Sequence, residues 1–191
     1  NMSLIETPPR NRKSVATYVV PFDKKLVREV IYKEIGRGGQ VFILYNRTFD
    51  IDRKLASLKT LAPDISFGIA HGKMNKDQFE NVMNDFTHGR FDVLLCTTII
   101  ETGVDIPNVN SLIVLDADRF GLSQLYQIRG RVGRSDRLAY AYLMYEKGKV
   151  LTEQAMKRLR VIKEFTSLGS GFAIASRDLS IRGAGDILGS E

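Results

Sequence analysis

The chain has 191 residues, with 28 Lys and Arg against 22 Asp and Glu for a formal net charge of +6. A hydrophobic share of 43% with 26% charged residues suits a folded globular domain with at most a small appendage, which excludes disordered and fibrous classes. The longest uninterrupted apolar run, Leu138 to Tyr145, falls far short of the roughly 20 residues a membrane-spanning helix needs, so no membrane partner is expected.

In chain order, residues 1–14 carry Pro8-Pro9, the bases Arg10, Arg12 and Lys13 and the single acid Glu6, with little apolar periodicity, and read as a linker arm. Asn1 ahead of Met2 reads as part of a longer protein. From Val15 onward, apolar β-rich runs alternate with helix-period stretches, which predicts an α/β fold built on a parallel sheet. The expected strands are Val15–Val20, Gln40–Tyr45, Ile65–Ala70, Asp92–Thr97, Ser111–Leu115 and Ala139–Tyr145, with helices in the gaps. One helix should run from Asp23 to Ile35 and end on Gly36, and Asn75 with Gln78 forms a capping box for another reaching His88. Thr152 should cap a helix that turns Ala155, Leu159, Ile162 and Phe165 inward and Lys157, Arg160 and Lys163 outward. A second amphipathic stretch, Gly171 to Ile181, leads into Arg182-Gly-Ala-Gly185, so the tail reads as a helical hairpin followed by a glycine-rich loop that packs on the sheet domain.

The sharpest chemical signal is Gln127-Ile-Arg-Gly-Arg131-Val-Gly-Arg134. Each glycine in a helical pattern costs roughly 1 kcal/mol relative to alanine, which implies a close approach to the backbone. Gln127, Arg131 and Arg134 stand at i, i+4 and i+7, one helix face, and paired guanidinium forks match phosphate oxygens. A solvated basic face is the competing reading. The second signal, Thr97-Thr98-Ile-Ile-Glu-Thr-Gly103-Val-Asp105-Ile-Pro107, follows an apolar strand and so occupies a strand's carboxyl end, where open α/β sheets bind ligands. Its hydroxyls and amides suit phosphates and Asp105 suits a sugar hydroxyl; a capped turn is the alternative.

Gly68 is one residue too close to Gly72-Lys73 for a G-x-x-x-x-G-K-[ST] loop, and no Asp-Glu pair follows a strand to hold Mg²⁺. The chain therefore lacks both parts that bind and activate a nucleoside triphosphate. Arginines without a phosphate loop fit a lobe that closes over ATP held elsewhere. The lone Cys96 in Val93-Leu-Leu-Cys96 reads as a small core residue. With two histidines, His71 and His88, it cannot supply a disulfide or a four-ligand zinc site, and a cytoplasmic location is expected. His71 reads as a backbone or phosphate contact, and the positive charge excess favours a polyanionic partner. Arg182 is either a loop cation or a charged contact coupled to movement of the hairpin.

These residues carry a resemblance. Thr98 to Pro107 resembles motif V and Gln127 to Arg134 motif VI of superfamily 2 helicases and translocases, while Tyr45-Asn46-Arg47 resembles motif IV and His71-Gly72 the nucleic-acid loop after it. The arm Ser3 to Arg12 and the hairpin ending Arg182-Gly-Ala-Gly-Asp-Ile-Leu-Gly189 resemble those of the bacterial transcription-repair coupling factors, and RecG helicases, which share the hairpin motif, are the close alternative. The resemblance implies a linker arm from a preceding lobe over 1–14, a second RecA-like lobe over 15–150 and a helical hairpin over 151–191 that stops short of the family's glutamine. It further implies that Arg134 is the arginine finger, Arg131 a γ-phosphate sensor and Gln127 a link to the lobe interface. Gly103 and Asp105 would complete the ATP site. Asn46, Arg47, His71, Gly72, Thr97 and Thr98 would line the DNA track, and Arg182 would couple closure to movement. ATP and Mg²⁺ would be held mainly by the first lobe. Double-stranded DNA is the implied partner of a monomer, with RNA polymerase and nucleotide-excision-repair proteins reached through other domains. The rival from another class is a non-catalytic nucleic-acid-binding module whose arginines meet DNA phosphates.

Overall fold

The computed structural model describes residues 15–97, 109–129, 138–148 and 150–166. Its centre is a six-stranded parallel sheet of β1 (Val15–Pro21), β2 (Gln40–Tyr45), β3 (Phe67–Ala70), β4 (Val93–Cys96), β5 (Val109–Leu115) and β6 (Ala139–Tyr145). The spatial order is β1-β6-β5-β2-β4-β3. Five helices connect and flank the strands among the described residues: α1 (Lys24–Gly36), α2 (Ile51–Leu61), α3 (Lys76–Thr87), α4 (Leu122–Arg129) and α5 (Glu153–Thr166).

Parallel central strands are covered on both faces and so read as continuous apolar runs; every residue of β4 and of β5 is buried. Alternate side chains divide between two cores. Phe42, Leu44, Leu94, Cys96, Leu112 and Val114 pack with Met83 and Phe86 of α3, Leu125 and Ile128 of α4, and Leu159 and Ile162 of α5. Val41, Ile43, Val93, Leu95 and Ile113 pack with Val27 and Ile31 of α1 and Leu58 of α2 on the other face. The α/β expectation of a parallel sheet flanked by helices is met, and Cys96 is a fully buried core residue. Residues 167–191, where the second helix of the expected hairpin falls, lie outside the described residues, as does the arm over 1–14.

Several boundaries shift for local reasons. Asp23 is the N-cap of α1, its carboxylate accepting from the Lys25 amide at 2.9 Å. Gly36 is the last helical residue rather than the cap; the chain leaves the helix through Arg37, and the left-handed position is Gly38 at φ 82°. The first expected residues of two strands, Ile65-Ser66 and Asp92, instead form their entry, where the Asp92 amide bonds the Ser66 carbonyl and side chain, so β3 begins at Phe67 and β4 at Val93. The capping box is present in both directions, Asn75 Oδ1 accepting from the Gln78 amide at 2.8 Å and Gln78 Oε1 from the Asn75 amide at 3.0 Å. Thr152 caps α5 by accepting from the Ala155 amide at 3.0 Å. Ala155, Leu159 and Ile162 face inward and Lys157, Arg160 and Lys163 outward as the periodicity predicts. Because Leu159, Val161 and Ile162 belong to the core of the sheet, α5 is packed as part of the lobe.

Candidate nucleic-acid interface

In an open parallel sheet the connections diverge at one point, leaving a crevice beyond the carboxyl ends of the strands on either side of it. Here β2 continues through α2 toward β3 at one edge of the sheet, whereas its neighbour β5 continues through α4 toward β6 in the other direction. Since α2 and α4 lie on opposite faces, the crevice opens past Tyr45 and Leu115.

Two of the expected residues stand there. Asn46 is exposed and Arg47 half-buried in the turn after β2, and the Arg47 Nε lies 3.7 Å from Oδ2 of Asp116, the first residue after β5. Asp116 holds a left-handed backbone, φ 54° and ψ 46°, which Asp tolerates better than most residues. Tyr45 underlies the same turn: its hydroxyl donates to the Asp50 carboxylate, both oxygens at 3.0 Å, and the Lys54 ammonium sits 4.9 Å from its ring centroid. Burial, reinforced by the hydrogen bond to Asp50, pushes the Tyr45 phenol up to about 12. Asp50 therefore serves Tyr45 rather than capping α2, for which it makes no side-chain bond.

The neighbouring ends of β3 and β4 bring together three more. Thr97 is 2% exposed, and its Oγ1 accepts from the Gly72 amide at 3.0 Å while its own amide donates to the Ala70 carbonyl at 3.1 Å. His71 closes a tight turn, its Nδ1 accepting from the Lys73 amide at 3.2 Å and its carbonyl from the Met74 amide at 3.1 Å. Thr97 thus fixes the His71–Gly72 loop from below, while Gly72, Lys73 and Lys76 are exposed above it.

Asn46, Arg47, His71, Gly72 and Thr97 accordingly share one end of the sheet, the carboxyl ends of β2, β3 and β4. Gln127 is exposed on α4. Thr98, Gly103, Asp105, Arg131, Arg134 and Arg182 lie outside the described residues. Among the described residues no three His, Cys, Asp or Glu side chains are grouped to hold a metal ion, and no helix is long and apolar enough to cross a membrane. Sequence reasoning missed Asp116 and the Tyr45–Asp50 pair. A signal for Asp116 existed, because it is the first charged residue closing the fully apolar end of β5 at the same level as Arg47.

The chain matches the family of the helicase conserved C-terminal domain over residues 23–136. It is 62% identical over all 191 residues to a transcription-repair-coupling factor of Bacillus subtilis (strain 168) and 56% identical to one of Staphylococcus haemolyticus (strain JCSC1435), in each case covering 100% of this chain and 16% of the relative. Among solved structures, RecG bound to a three-way DNA junction aligns at TM-score 0.78 and 39% identity, covering 95% of this chain and 24% of that one. Domain 2 of the DEAD-box helicase Mss116p bound to an RNA duplex aligns at TM-score 0.60 and 17% identity over 80% of this chain and 60% of that one, a likeness of fold alone.

Proposed function

Because the chain belongs to the helicase conserved C-terminal domain family, and spans about a sixth of the length of the coupling factors it resembles, we propose that it is the second RecA-like lobe of an ATP-dependent double-stranded DNA translocase. The whole protein would displace stalled RNA polymerase and bring excision-repair proteins to the lesion. The observation that supports this reading is the gathering of Asn46, Arg47 and the His71–Gly72 loop at one end of the sheet, backed by Thr97. Backbone amides and cations at a sheet's carboxyl end suit phosphates, which position a protein on DNA without reading its sequence. A RecG-like lobe acting on branched DNA is the second reading, kept because that structure aligns with nearly the whole chain; the higher identity to the coupling factors favours the first.

The division of labour follows from what each group can do. ATP supplies the phosphoanhydride whose hydrolysis drives the motor, and with Mg²⁺ it would be held mainly by the first lobe, since this chain has no phosphate loop. Arg134 and Arg131 would meet the γ-phosphate, their guanidiniums remaining charged at any physiological pH, with Gln127 at the lobe interface and Gly103 and Asp105 completing the nucleotide site. Thr98 would extend the DNA track beside Thr97, and Arg182 would couple closure to movement. A lobe that closes when arginines reach the γ-phosphate and opens after hydrolysis alternates its grip on DNA. The test is ATP hydrolysis by the 191-residue chain alone and by the parent two-lobe protein, each with and without DNA. We expect negligible turnover from the chain alone and DNA-stimulated turnover from the parent; robust turnover by the chain alone refutes the half-motor reading.

A further inference from the structure

Between two anchored points of the turn after β2 stands an aromatic side chain left in solvent. Tyr45 closes β2 and Ile51 opens α2, both packed in the same core at 3% and 2% exposure. The Tyr45 hydroxyl also holds both oxygens of the Asp50 carboxylate at 3.0 Å. The turn of 3-10 helix over Thr48–Asp50 is thereby tied down on both sides of Phe49, which is 78% exposed.

A lone exposed apolar residue is ordinary on a protein surface, and Tyr18, Leu138, Val150 and Met156 are others among the described residues. What sets Phe49 apart is where it stands. Asn46, exposed, and Arg47, half-buried, precede it by three and two residues, and Arg53 follows it by four, exposed on α2 beside the acid Asp52. None of the other four exposed apolar residues belongs to this turn. The carboxylate next to Phe49, that of Asp50, is engaged by Tyr45.

Cations hold phosphates by charge and lose affinity as salt competes for the backbone. An aromatic ring makes a different contact, packing on sugars and base edges or stacking on bases, which releases no counterion and tolerates any sequence. Two trans peptide links of about 3.8 Å each keep the Cα atoms of Arg47 and Phe49 within about 7.6 Å. The ring therefore reaches the nucleotide whose phosphate Arg47 would hold.

We propose that Phe49 is an apolar DNA contact of this lobe, its ring lying on the sugar and base of the nucleotide whose phosphate Arg47 binds. This rests on the half-motor reading, which supplies DNA as the ligand, and adds to it a part of the grip that salt does not weaken. Because Phe49 is exposed, its truncation should leave stability unchanged.

The experiment uses the full two-lobe protein and measures its affinity for duplex DNA by fluorescence anisotropy from about 50 to 200 mM salt, where phosphate contacts weaken most visibly. For Phe49→Ala we expect binding about tenfold weaker at every salt concentration, with the slope of log affinity against log salt and the urea unfolding midpoint unchanged. Phe49→Tyr, which keeps the ring, should bind within about twofold of the parent. Arg47→Ala should instead lower the slope by about 0.9, the share of one phosphate. Affinity within about twofold of the parent in Phe49→Ala, a loss that comes with a changed slope or a lowered midpoint, or an equal loss in Phe49→Tyr overturns the proposal alone. Failure of the unmodified protein to bind duplex DNA, or an unchanged slope in Arg47→Ala, is a different outcome, one that removes the DNA track itself and the contact with it.

Discussion

Replacing Thr97 by Val separates the two things that residue does. The side chain is 2% exposed and its Oγ1 accepts the Gly72 amide at 3.0 Å, so the isosteric valine keeps the packing and removes only the acceptor. A net hydrogen bond contributes about 1 kcal/mol, and a buried donor left unpaired costs about 1 to 3 kcal/mol. Because Gly72 is itself exposed and water can reach its amide, the low end applies, about 1 kcal/mol. If that bond is what holds the His71–Gly72 loop for DNA phosphates, the same loss should weaken DNA binding by up to about fivefold, since 1.4 kcal/mol is tenfold. Thr97→Ser is the control: it keeps the hydroxyl and loses one buried methyl, also about 1 kcal/mol, so it should be destabilised to a similar degree with DNA affinity unchanged. Urea denaturation and fluorescence-anisotropy titration with duplex DNA at fixed salt measure both quantities. Equal loss of DNA affinity in the two variants, or none in the valine variant, would refute the assignment of the loop to DNA.

Other perturbations act on the scaffold. Arg37 pairs at 3.1 Å with Glu34 and also donates to the Leu138 carbonyl, while Glu34 is 1% exposed and accepts from the Ser111 hydroxyl at 2.6 Å; Arg37→Ala leaves a buried carboxylate without its cation and should cost about 3 kcal/mol in urea denaturation. Gly68→Ala would set a methyl 2.4 Å from the Phe91 ring, an overpacking worth about 1 to 3 kcal/mol, visible as a lowered Tm. Tyr45 and Tyr142 are each raised by burial to about 12, with hydrogen bonding to Asp50 adding for the first and the charge of Tyr18 for the second. The unfolded chain then loses these protons near pH 10 while the folded chain keeps them, so stability is intact below pH 10 and falls between about 10 and 12. Phenolate absorbance should show Tyr45 and Tyr142 among the late-titrating tyrosines, with Tyr32 also raised by its hydrogen bond to Asp64, and an unchanged unfolding midpoint across that window would contradict the buried placement.

Most of the sheet was legible because parallel central strands are continuous apolar runs. Val93-Leu-Leu-Cys96 and Leu112-Ile-Val-Leu115 carry that signal without interruption, and the Asn75–Gln78 capping box is a local pattern that needs no tertiary context. Strand order was not legible, since it depends on which runs become neighbours. The adjacency of β2 and β5, and therefore the pairing of Arg47 with Asp116, arises only when residues far apart in sequence are brought side by side. Thr97 illustrates a finer limit. Its place at a strand end was readable, but a hydroxyl facing a ligand and a hydroxyl holding a neighbouring loop have the same sequence, and only the Gly72 amide at 3.0 Å separates them. Gly36 misled for a related reason: three of the four residues from Gly36 to Gly39 are glycines, and composition does not say which one takes the left-handed turn that falls at Gly38.

The half-motor assignment is tested most directly by Arg134→Ala in the parent two-lobe protein, with DNA-stimulated ATP hydrolysis and duplex-DNA affinity measured together. Loss of an arginine finger lowers turnover by about a thousandfold or more, so the account predicts that hydrolysis collapses while DNA affinity stays within about twofold. Reduced affinity with steep salt dependence and unchanged hydrolysis would contradict it, and would make this lobe a DNA-binding module whose arginine meets nucleic-acid phosphate.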